Sequence, residues 1–546
     1  MKKILHWLDQ NILLLLTAIL MVIIPALPKL PLADLIEGYI VRLRFEDIAV
    51  FVTTGIWGIQ LIRKKVMLPQ GLMTKLILSY LIIGLLSTLS AMFITRTVPL
   101  EQHHIFKLYL HYFRRIEYFS LFFIAYSAIR TKRDLKLVLV TAAAALVGVL
   151  LYGFGQKYFL WPAFSTMNRE FSKGIRLYLT PGSRVMSTFA GHYDYAAYLM
   201  MALSFIVTLF WLTKKWSIKL LLALLFAGAY WSLILTASRT SFLGYLAAIT
   251  IVALLLAKKR GVWRMVGNWF GVVTISLAVM LTMGDLSARF FQVLNNPDLL
   301  VHDITQVFPI KREWISDPLA FLSGQVKTLE NIKANLNKPI TTPPPAAVST
   351  DAYENVATVS DTPPSALPPD ITPEEDALRK ALEAERAATA SASTEGGYSP
   401  NALKYGLSIA IRLDALWPRA IAGFKRNPLL GSGYSTLVKE ENEEFTQAES
   451  TDNDYLRMLG ETGALGTLAF LAICVVLMGA SYRLFVSSNS STNQALGLGM
   501  VGAVIALLIN ATYIDIFESS KIAYLLWTLA AIVQKSKELY EKKPTR

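Results

Sequence analysis

Long apolar stretches recur along this chain of 546 residues, and short polar segments separate them. A helix needs roughly 20 apolar residues to cross the hydrocarbon core of a bilayer. By that rule the pattern predicts an all-α polytopic membrane protein with about twelve transmembrane helices. The predicted spans lie near residues 11–28, 45–62, 74–95, 113–130, 135–154, 193–212, 217–236, 240–257, 264–283, 463–482, 495–513 and 519–534.

One long interruption divides the pattern into three parts. Residues 1–283 are predicted to carry helices 1–9, residues 284–455 a large extracytoplasmic loop domain, and residues 456–546 helices 10–12 and a cytoplasmic tail. Inside the loop, residues 339–400 are rich in Pro, Ala, Ser and Thr, a composition that cannot bury a core and predicts disorder. Apolar periodicity returns over residues 401–449 and predicts amphipathic helices at the membrane face.

Composition supports the membrane interpretation. Hydrophobic residues make up 54% of the chain and charged residues only 17%, whereas charged residues reach about 25% in soluble domains. The net charge of +14 would suggest nucleic acid as the partner of a soluble protein. Here short Lys and Arg runs border the apolar spans. The positive charge therefore indicates the topology of the spans and contact with membrane lipids, and no nucleic-acid partner is predicted.

The basic runs also predict an orientation. Runs such as Arg63–Lys65 and Lys258–Arg260 all fall on one side of the predicted spans, which is then the cytoplasmic side. Both termini would be cytoplasmic and the large loop extracytoplasmic, in a multi-pass protein of the cytoplasmic (inner) membrane. Two pairs of arginines lie on or near the opposite side, Arg42 with Arg44 and Arg114 with Arg115.

Cysteine and histidine offer little metal or redox chemistry. The single cysteine, Cys474, lies in an apolar span and cannot form a disulfide framework. The six histidines show no HExxH or similar spacing. We therefore expect no protein metal site and no cofactor.

Three arginines on the predicted extracytoplasmic side are candidates for binding an anion. Charges at membrane depth are costly and indicate function by default, and guanidinium groups match phosphate oxygens bidentately. Arg239 precedes the eighth span, where Ser238 and a helix start add donors, although an arginine there can also simply reach lipid headgroups. Arg184 lies in a Gly-Ser turn, and Arg412 is equally compatible with a solvated basic face.

Polar residues near these arginines are candidates for contact with a substrate. His192 and Asp194, just before the sixth span, could bind sugar hydroxyls or only cap the helix. Asp452 precedes the tenth span and could act as a general base. Its neighbour Asn453 could cap that helix. An arginine cluster beside a carboxylate suggests group transfer from a lipid diphosphate at the outer membrane face.

Three short motifs make the chain resemble the O-antigen ligase and O-antigen polymerase superfamily of bacterial membrane enzymes. The first is the Ser238-Arg239 pair after an apolar span. The second is a run formed by Arg412, Trp417, Pro428, Gly431 and Gly433. The third is a run formed by Asp452, Asn453, Asp454, Tyr455, Leu456, Glu461, Gly463 and Gly466, in which the last three residues are expected to shape helix packing. Arg184 before the sixth span is also similar to an arginine of the family.

The resemblance implies an inverting transferase that needs no metal. A glycan on undecaprenyl diphosphate would be the donor, and a hydroxyl of a lipid, glycan or protein the acceptor. Arg239 and Arg412, with Arg184, would hold the diphosphate. The resemblance places Asp452 near the acceptor hydroxyl, and Asn453 and Tyr455 of the same motif are candidates for binding the substrate.

The family's ligases carry histidine at the position of Asp452. The aspartate is therefore the candidate base, with His192 or a histidine of the 103–111 segment as the alternative. A repeat-unit polymerase is the alternative to a ligase, because the sequence does not identify the acceptor. A multi-span transporter is the alternative from another class. Internal repeats and midplane polar residues would favour it, but here the polar residues cluster at the outer ends of the spans.

Overall fold

The structure, a computed structural model, describes residues 2–36, 42–167, 171–179, 182–284, 286–287, 411–437 and 450–541. It is mostly helical. The helices are α1 (Lys2–Ala26), α2 (Phe45–Ile62), α3 (Leu72–Phe93), α4 (Gln102–Ala128), α5 (Lys132–Tyr158), α6 (His192–Leu212), α7 (Trp216–Leu235), α8 (Arg239–Arg260), α9 (Val262–Thr282), α10 (Trp417–Arg426), α11 (Asp454–Ser487), α12 (Ser491–Asn510) and α13 (Ser520–Glu541).

Ten of these helices are long and apolar enough to cross a membrane, namely α1, α2, α3, α5 to α9, α11 and α12. They coincide with ten of the predicted spans and indicate a multi-pass membrane protein. The predicted spans at 113–130 and 519–534 fall on α4 and α13, which have 27 and 22 residues but carry more charged side chains. The count of twelve spans therefore stays a prediction.

Polar contacts define two ends of the helix bundle. At one end the Val185 amide bonds to the Leu235 carbonyl at 3.1 Å, and Lys521 Nζ bonds to the Thr188 carbonyl at 2.7 Å. At the other end Lys259 Nζ bonds to the Phe485 carbonyl at 2.8 Å. We call these the upper and the lower end. Helices α6, α8, α11 and α13 begin at the upper end, and α7 and α12 finish there.

Burial separates central from peripheral helices. Within the apolar windows of α6 and α12, 78% and 72% of the residues are buried inside the protein, whereas in α9 only 17% are. Helix α9 instead exposes large apolar side chains such as Trp263 and Phe270. Such a surface is expected to face lipid, because no solvent-exposed helix of a soluble protein would present it.

A small antiparallel sheet at the upper end was not predicted. Strand β1 (Pro31–Asp34) pairs with β2 (Arg42–Arg44). The pairing is braced by an ion pair between Arg42 and Asp34 at 2.7 Å. Just before β1, the buried Lys29 binds Glu46 of α2 at 2.9 Å. Burial lowers the pKa of Lys29, although Glu46 opposes the shift.

The large loop is described only in part. Of residues 284–455, the structure describes 284, 286–287, 411–437 and 450–455. Helix α10 lies within the segment for which amphipathic helices were predicted, and it follows one turn of π-helix, Arg412–Leu416. The predicted disordered insert at 339–400 lies outside the described residues.

Candidate functional site

Asp515, in the connection between α12 and α13, organises the segment that leads into α11. Its Oδ2 accepts hydrogen bonds from the Thr451 amide at 2.8 Å and from Ser450 Oγ at 3.0 Å. Its Oδ1 accepts from Thr451 Oγ1 and from the Asn453 amide, each at 2.9 Å. Arg457 binds the same carboxylate at 3.0 Å. Residues 450–453 are therefore anchored to a carboxylate more than 60 residues further along the chain.

The charge on Asp515 is stabilised where it lies. Burial alone would raise the pKa of this carboxyl, but the Arg457 guanidinium and the hydrogen bonds from Thr451 hold the pKa below its usual value. Asp515 is therefore an anion at neutral pH. An ionised acceptor makes stronger hydrogen bonds than a neutral one, so the anchored segment is held firmly.

Asp452 projects from this anchored segment. Its backbone has a φ of +49°, in the left-handed region that aspartate tolerates better than most residues. The Ser450 hydroxyl, whose single hydrogen is shared between Asp452 and Asp515, lies 2.7 Å from one carboxylate oxygen of Asp452. The other lies 3.2 Å from a guanidinium nitrogen of Arg412, and 25% of the side chain is exposed. The carboxylate is thus both paired with an arginine and accessible from outside.

Arg412 is positioned by an irregular helical turn. The Trp417 amide bonds to the Arg412 carbonyl five residues earlier, which is the π-helical pattern. Pro418 follows, and because proline has no amide hydrogen it cannot donate to a carbonyl of the preceding turn. Single π-helical turns are frequent at functional sites. The Arg412 side chain is buried, and its guanidinium lies 5.8 Å from the ring centroid of Tyr513.

Arg239 is at the same upper end, but among the described residues no hydrogen bond or ion pair joins it to Arg412 or Asp452. It is the first residue of α8, it is exposed, and Ser238 caps the helix. Ser241, two residues after Arg239 in the same turn, accepts from Asn510 Nδ2 at 3.1 Å. Asn510 ends α12, so the start of α8 adjoins the connection that carries Tyr513 and Asp515.

Arg184 and His192 form a buried pair of their own. A guanidinium nitrogen of Arg184 lies 2.9 Å from His192 Nε2, and both side chains are buried. Because arginine can only donate, Nε2 of His192 accepts and the imidazole is neutral in this contact. The Val185 amide bond to the Leu235 carbonyl places this pair beside the segment that leads to Arg239.

The other three predicted site residues hold the structure together at the upper end. Asp194 lies in the first turn of α6, and its carboxyl group is close to Ser519. Asn453 caps α11 by accepting from the Leu456 amide at 3.0 Å. The Tyr455 hydroxyl donates to the Leu508 carbonyl at 2.6 Å. Their predicted contacts with a substrate stay predictions.

A second group of charges lies beneath Asp515, and the sequence analysis assigned it no place in the site. Arg457 lies 3.4 Å from Glu461, one turn further along α11, and 3.9 Å from Glu518. Arg115 of α4 binds Glu518 and lies 3.8 Å from Glu461. The Arg-Glu spacing of four residues in α11 is a recognisable helical pair, but nothing in the sequence connects it to Arg115.

Two predicted glycine motifs meet in the structure. The Ser432 amide bonds to the Gly460 carbonyl at 2.8 Å, and the Gly433 amide to the Glu461 carbonyl at 3.0 Å. The Ser435 amide donates to Glu461 Oε1 at 3.1 Å. The turn at residues 431–433 therefore packs directly against α11, close to the place where Gly463 interrupts the helix with a φ of +66°.

A small cavity adjoins the buried charges. Its volume is about 20 Å³, enough for about one water molecule and far too small for a sugar. Arg115, Glu518 and Asp454 are among its lining residues. A large substrate must therefore bind elsewhere, and the exposed faces of Asp452 and Arg239 are the accessible charged groups of the candidate site.

Neither models of known protein families nor curated proteins give a significant match to this chain. The site is therefore interpreted from its own residues and from the motifs that they form.

Proposed function

We propose that this chain transfers a glycan from an undecaprenyl-diphosphate carrier to an acceptor hydroxyl at the outer face of the cytoplasmic membrane. The observation that carries the proposal is the contact of 3.2 Å between Arg412 and the accessible carboxylate of Asp452. A diphosphate-binding group and a candidate base thus share one site at the mouth of a membrane helix. The motif resemblance to the O-antigen ligase superfamily supplies the donor.

The proposed reaction makes and breaks one bond to the anomeric carbon. The acceptor oxygen attacks this carbon, and its proton passes to the Asp452 carboxylate. The bond between the anomeric carbon and the diphosphate oxygen breaks, and the electron pair leaves with undecaprenyl diphosphate. Because attack occurs opposite the leaving group, the configuration at the carbon inverts. Arg412 stabilises the charge that develops on the diphosphate.

The positions of Arg412 and Arg239 fit complementary roles. Arg412 is buried, so its charge is poorly screened and its attraction to a phosphate is strong. Arg239 is exposed at the start of α8, where the positive end of the helix dipole adds to its own charge. We assign Arg239 to the first capture of the diphosphate. The Arg184–His192 pair is assigned to holding the loop next to it.

The alternatives differ in what is transferred or moved. A repeat-unit polymerase would use the same donor and the same bond change and would differ only in its acceptor. A transporter would move the lipid-linked glycan without breaking a bond. Product analysis of the assay below separates these three functions.

The first prediction tests the transfer directly. Purified protein is incubated with a lipid-diphosphate glycan and either a lipid acceptor or a second repeat unit. We expect Asp452→Asn to lower kcat by about 10²–10⁴-fold, because the amide cannot take a proton. We expect Arg412→Lys to lower kcat by about 10²–10³-fold, because lysine lacks the planar fork.

Arg63→Lys is the matched control. Arg63 is half-exposed at the lower end and pairs with Asp9 at 2.7 Å, so this variant should transfer at the wild-type rate. Full activity in both site variants would refute the assigned roles. A wild-type protein that leaves the donor intact would refute the proposed function itself.

A further inference from the structure

Three metal-ligating side chains converge at the start of α4, at the upper end of the bundle. Nε2 of His103 lies 3.4 Å from a carboxylate oxygen of Glu101. Nε2 of His104 lies 3.7 Å from the same oxygen. One ligand atom from each residue lies within 4.8 Å of the others. The imidazole rings are neighbours, with centroids 4.2 Å apart.

The side chain of Glu101 does not cap helix α4. Glu101 is the N-cap residue of α4, yet its side chain makes no capping hydrogen bond. Glutamate is not among the residues preferred at an N-cap. Here its carboxylate lies against the two imidazoles, and the three ligand atoms lie together.

The separations match those around a bound transition metal. With bonds of about 2.0–2.2 Å, two ligands of a tetrahedral zinc ion lie roughly 3.3–3.6 Å apart. The two histidine-to-glutamate separations, 3.4 and 3.7 Å, lie close to that range, and the ligand atoms of the two histidines lie within 4.8 Å of each other. Small side-chain rotations at exposed residues would complete the geometry, since Glu101 and His103 are 63% and 51% exposed.

We propose that Glu101, His103 and His104 bind one divalent transition metal ion, with Zn²⁺ as the ion taken. Two imidazoles and a carboxylate suit zinc, and they disfavour Mg²⁺ and Ca²⁺, which prefer oxygen ligands alone. Three protein ligands leave a coordination position open to water or to an external oxygen ligand. The carboxylate charge also offsets the nearby Lys107, which would otherwise repel a cation.

The three ligands are not among the residues to which the proposed transfer reaction assigns a role. In the HExxH pattern two ligands lie on one helical face. In Glu101-x-His103-His104 the ligands come from the cap and the first turn of a helix, where adjacent side chains can still converge. That is why the sequence analysis predicted no metal site.

The second prediction is zinc binding, measured by calorimetry on full-length protein purified with a histidine-free tag. Wild-type protein should bind one Zn²⁺, and excess Mg²⁺ should not compete. The His103→Ala/His104→Ala double variant should bind at least about 100-fold more weakly, beyond the loss typical of removing an outer-shell partner. Binding should weaken as the solution is acidified, because a protonated imidazole cannot bind a metal ion.

The control variant is His111→Ala, in the same helix two turns further along. It should bind zinc as the wild type does. X-ray absorption of the zinc-loaded protein should show two imidazoles and a carboxylate oxygen, and the elution volume of each variant reports its folding. Equal zinc affinity in the double variant, or the absence of stoichiometric binding to the wild type, would overturn the proposal.

Discussion

Asp515 accepts five hydrogen bonds at the start of α11, from Ser450, Thr451, Asn453 and Arg457. It is the residue on which the position of Asp452 depends, because residues on both sides of Asp452 bind it. Among the described residues, no hydrogen bond joins Asp515 to Asp452 itself. Asp515 therefore acts on the candidate base only by positioning the segment that carries it.

The third prediction concerns this anchor. Asp515→Asn keeps the shape of the side chain but removes the charge opposite Arg457. Arg457 keeps Glu461 and Glu518 as partners, but the amide nitrogen of asparagine cannot accept the hydrogen bonds that a carboxylate oxygen accepts, and a hydrogen bond to a charged group contributes about 1.5–3 kcal/mol. We expect the amides of Thr451 and Asn453 to exchange hydrogen much faster in the variant. Hydrogen–deuterium exchange with mass spectrometry over residues 450–457 measures this.

Asp9→Asn serves as the control for the anchor. Asp9 pairs with Arg63 and Lys65 at the lower end, and these side chains are partly or largely exposed. Exposed ion pairs contribute about 0–1 kcal/mol, so exchange at residues 450–457 should not change. Unaltered exchange in Asp515→Asn would show that the anchor does not hold the segment.

At the level of single residues, the sequence predicted a part of the candidate site. Arg412 and Asp452 were assigned to one site from their motifs, and the structure places them in contact. Asp515 was missed because it follows an apolar span without any motif, and its importance comes only from the fold. The buried partners Arg115 and Glu518 were missed for the same reason, since they lie about 400 residues apart in the chain.

Helix α11 is the element that joins the two halves of the site. It is interrupted at Gly463, whose φ of +66° and ψ of −168° lie in a region that only glycine adopts readily. Beyond the break, the Ala464 amide bonds to the Pro428 carbonyl at 2.8 Å, and the Leu465 amide to the Leu429 carbonyl at 3.2 Å. The break therefore lets the segment after α10 pair with the backbone of α11.

The fourth prediction tests the break. In Gly463→Ala the new Cβ would lie 2.4 Å from the Leu429 carbonyl group. Backbone strain alone costs about 1–3 kcal/mol, and the clash adds to it. We expect a lower melting temperature in detergent and loss of the proposed transfer activity.

A matched glycine in the same helix provides the comparison. A Cβ at Gly479 would meet nothing within 4 Å. Gly479→Ala should therefore be neutral or stabilise α11 by up to about 1 kcal/mol, as expected for alanine inside a helix. If both variants melted at the wild-type temperature, the break at Gly463 would not need glycine.

Elements were predicted more reliably than their details. The apolar runs located the long helices, because a span is a strong and local signal. The kink in α11 and the π-helical turn at Arg412 were not predicted. Both depend on contacts between the loop and the bundle, which no apolar pattern records. The two-stranded sheet was missed because its strands are only four and three residues long.

The whole molecule has its candidate site and its buried ion pairs at the upper end. Ion pairs there include Arg114 with Asp47 at 2.6 Å and Lys29 with Glu46 at 2.9 Å. The lower end instead carries the exposed basic runs that predicted the cytoplasmic side. The proposed orientation therefore places the candidate site at the outer face of the cytoplasmic membrane.

The fifth prediction tests this orientation with two single cysteines. Gln70 and Gln102 are both exposed, and they lie just before α3 and at the start of α4, at the lower and the upper end. The native Cys474 is buried and should not react. In spheroplasts with an intact inner membrane, an impermeant maleimide should label Gln102→Cys but not Gln70→Cys. After lysis both cysteines should react. Labelling of Gln70→Cys but not Gln102→Cys in intact spheroplasts would show that the orientation is the opposite of the proposed one.

The central place of α12 and α13 has a consequence for biosynthesis. These helices fill the middle of the bundle, with Ile522, Tyr524 and Met500 fully buried, yet they follow helices α1 to α11 in the chain. Until residue 518 has been made, Arg115 lacks Glu518 and residues 450–453 lack Asp515. Helices α1 to α9 are therefore made before the residues that fill the centre of the bundle. The candidate site can assemble only after residue 518 has been translated.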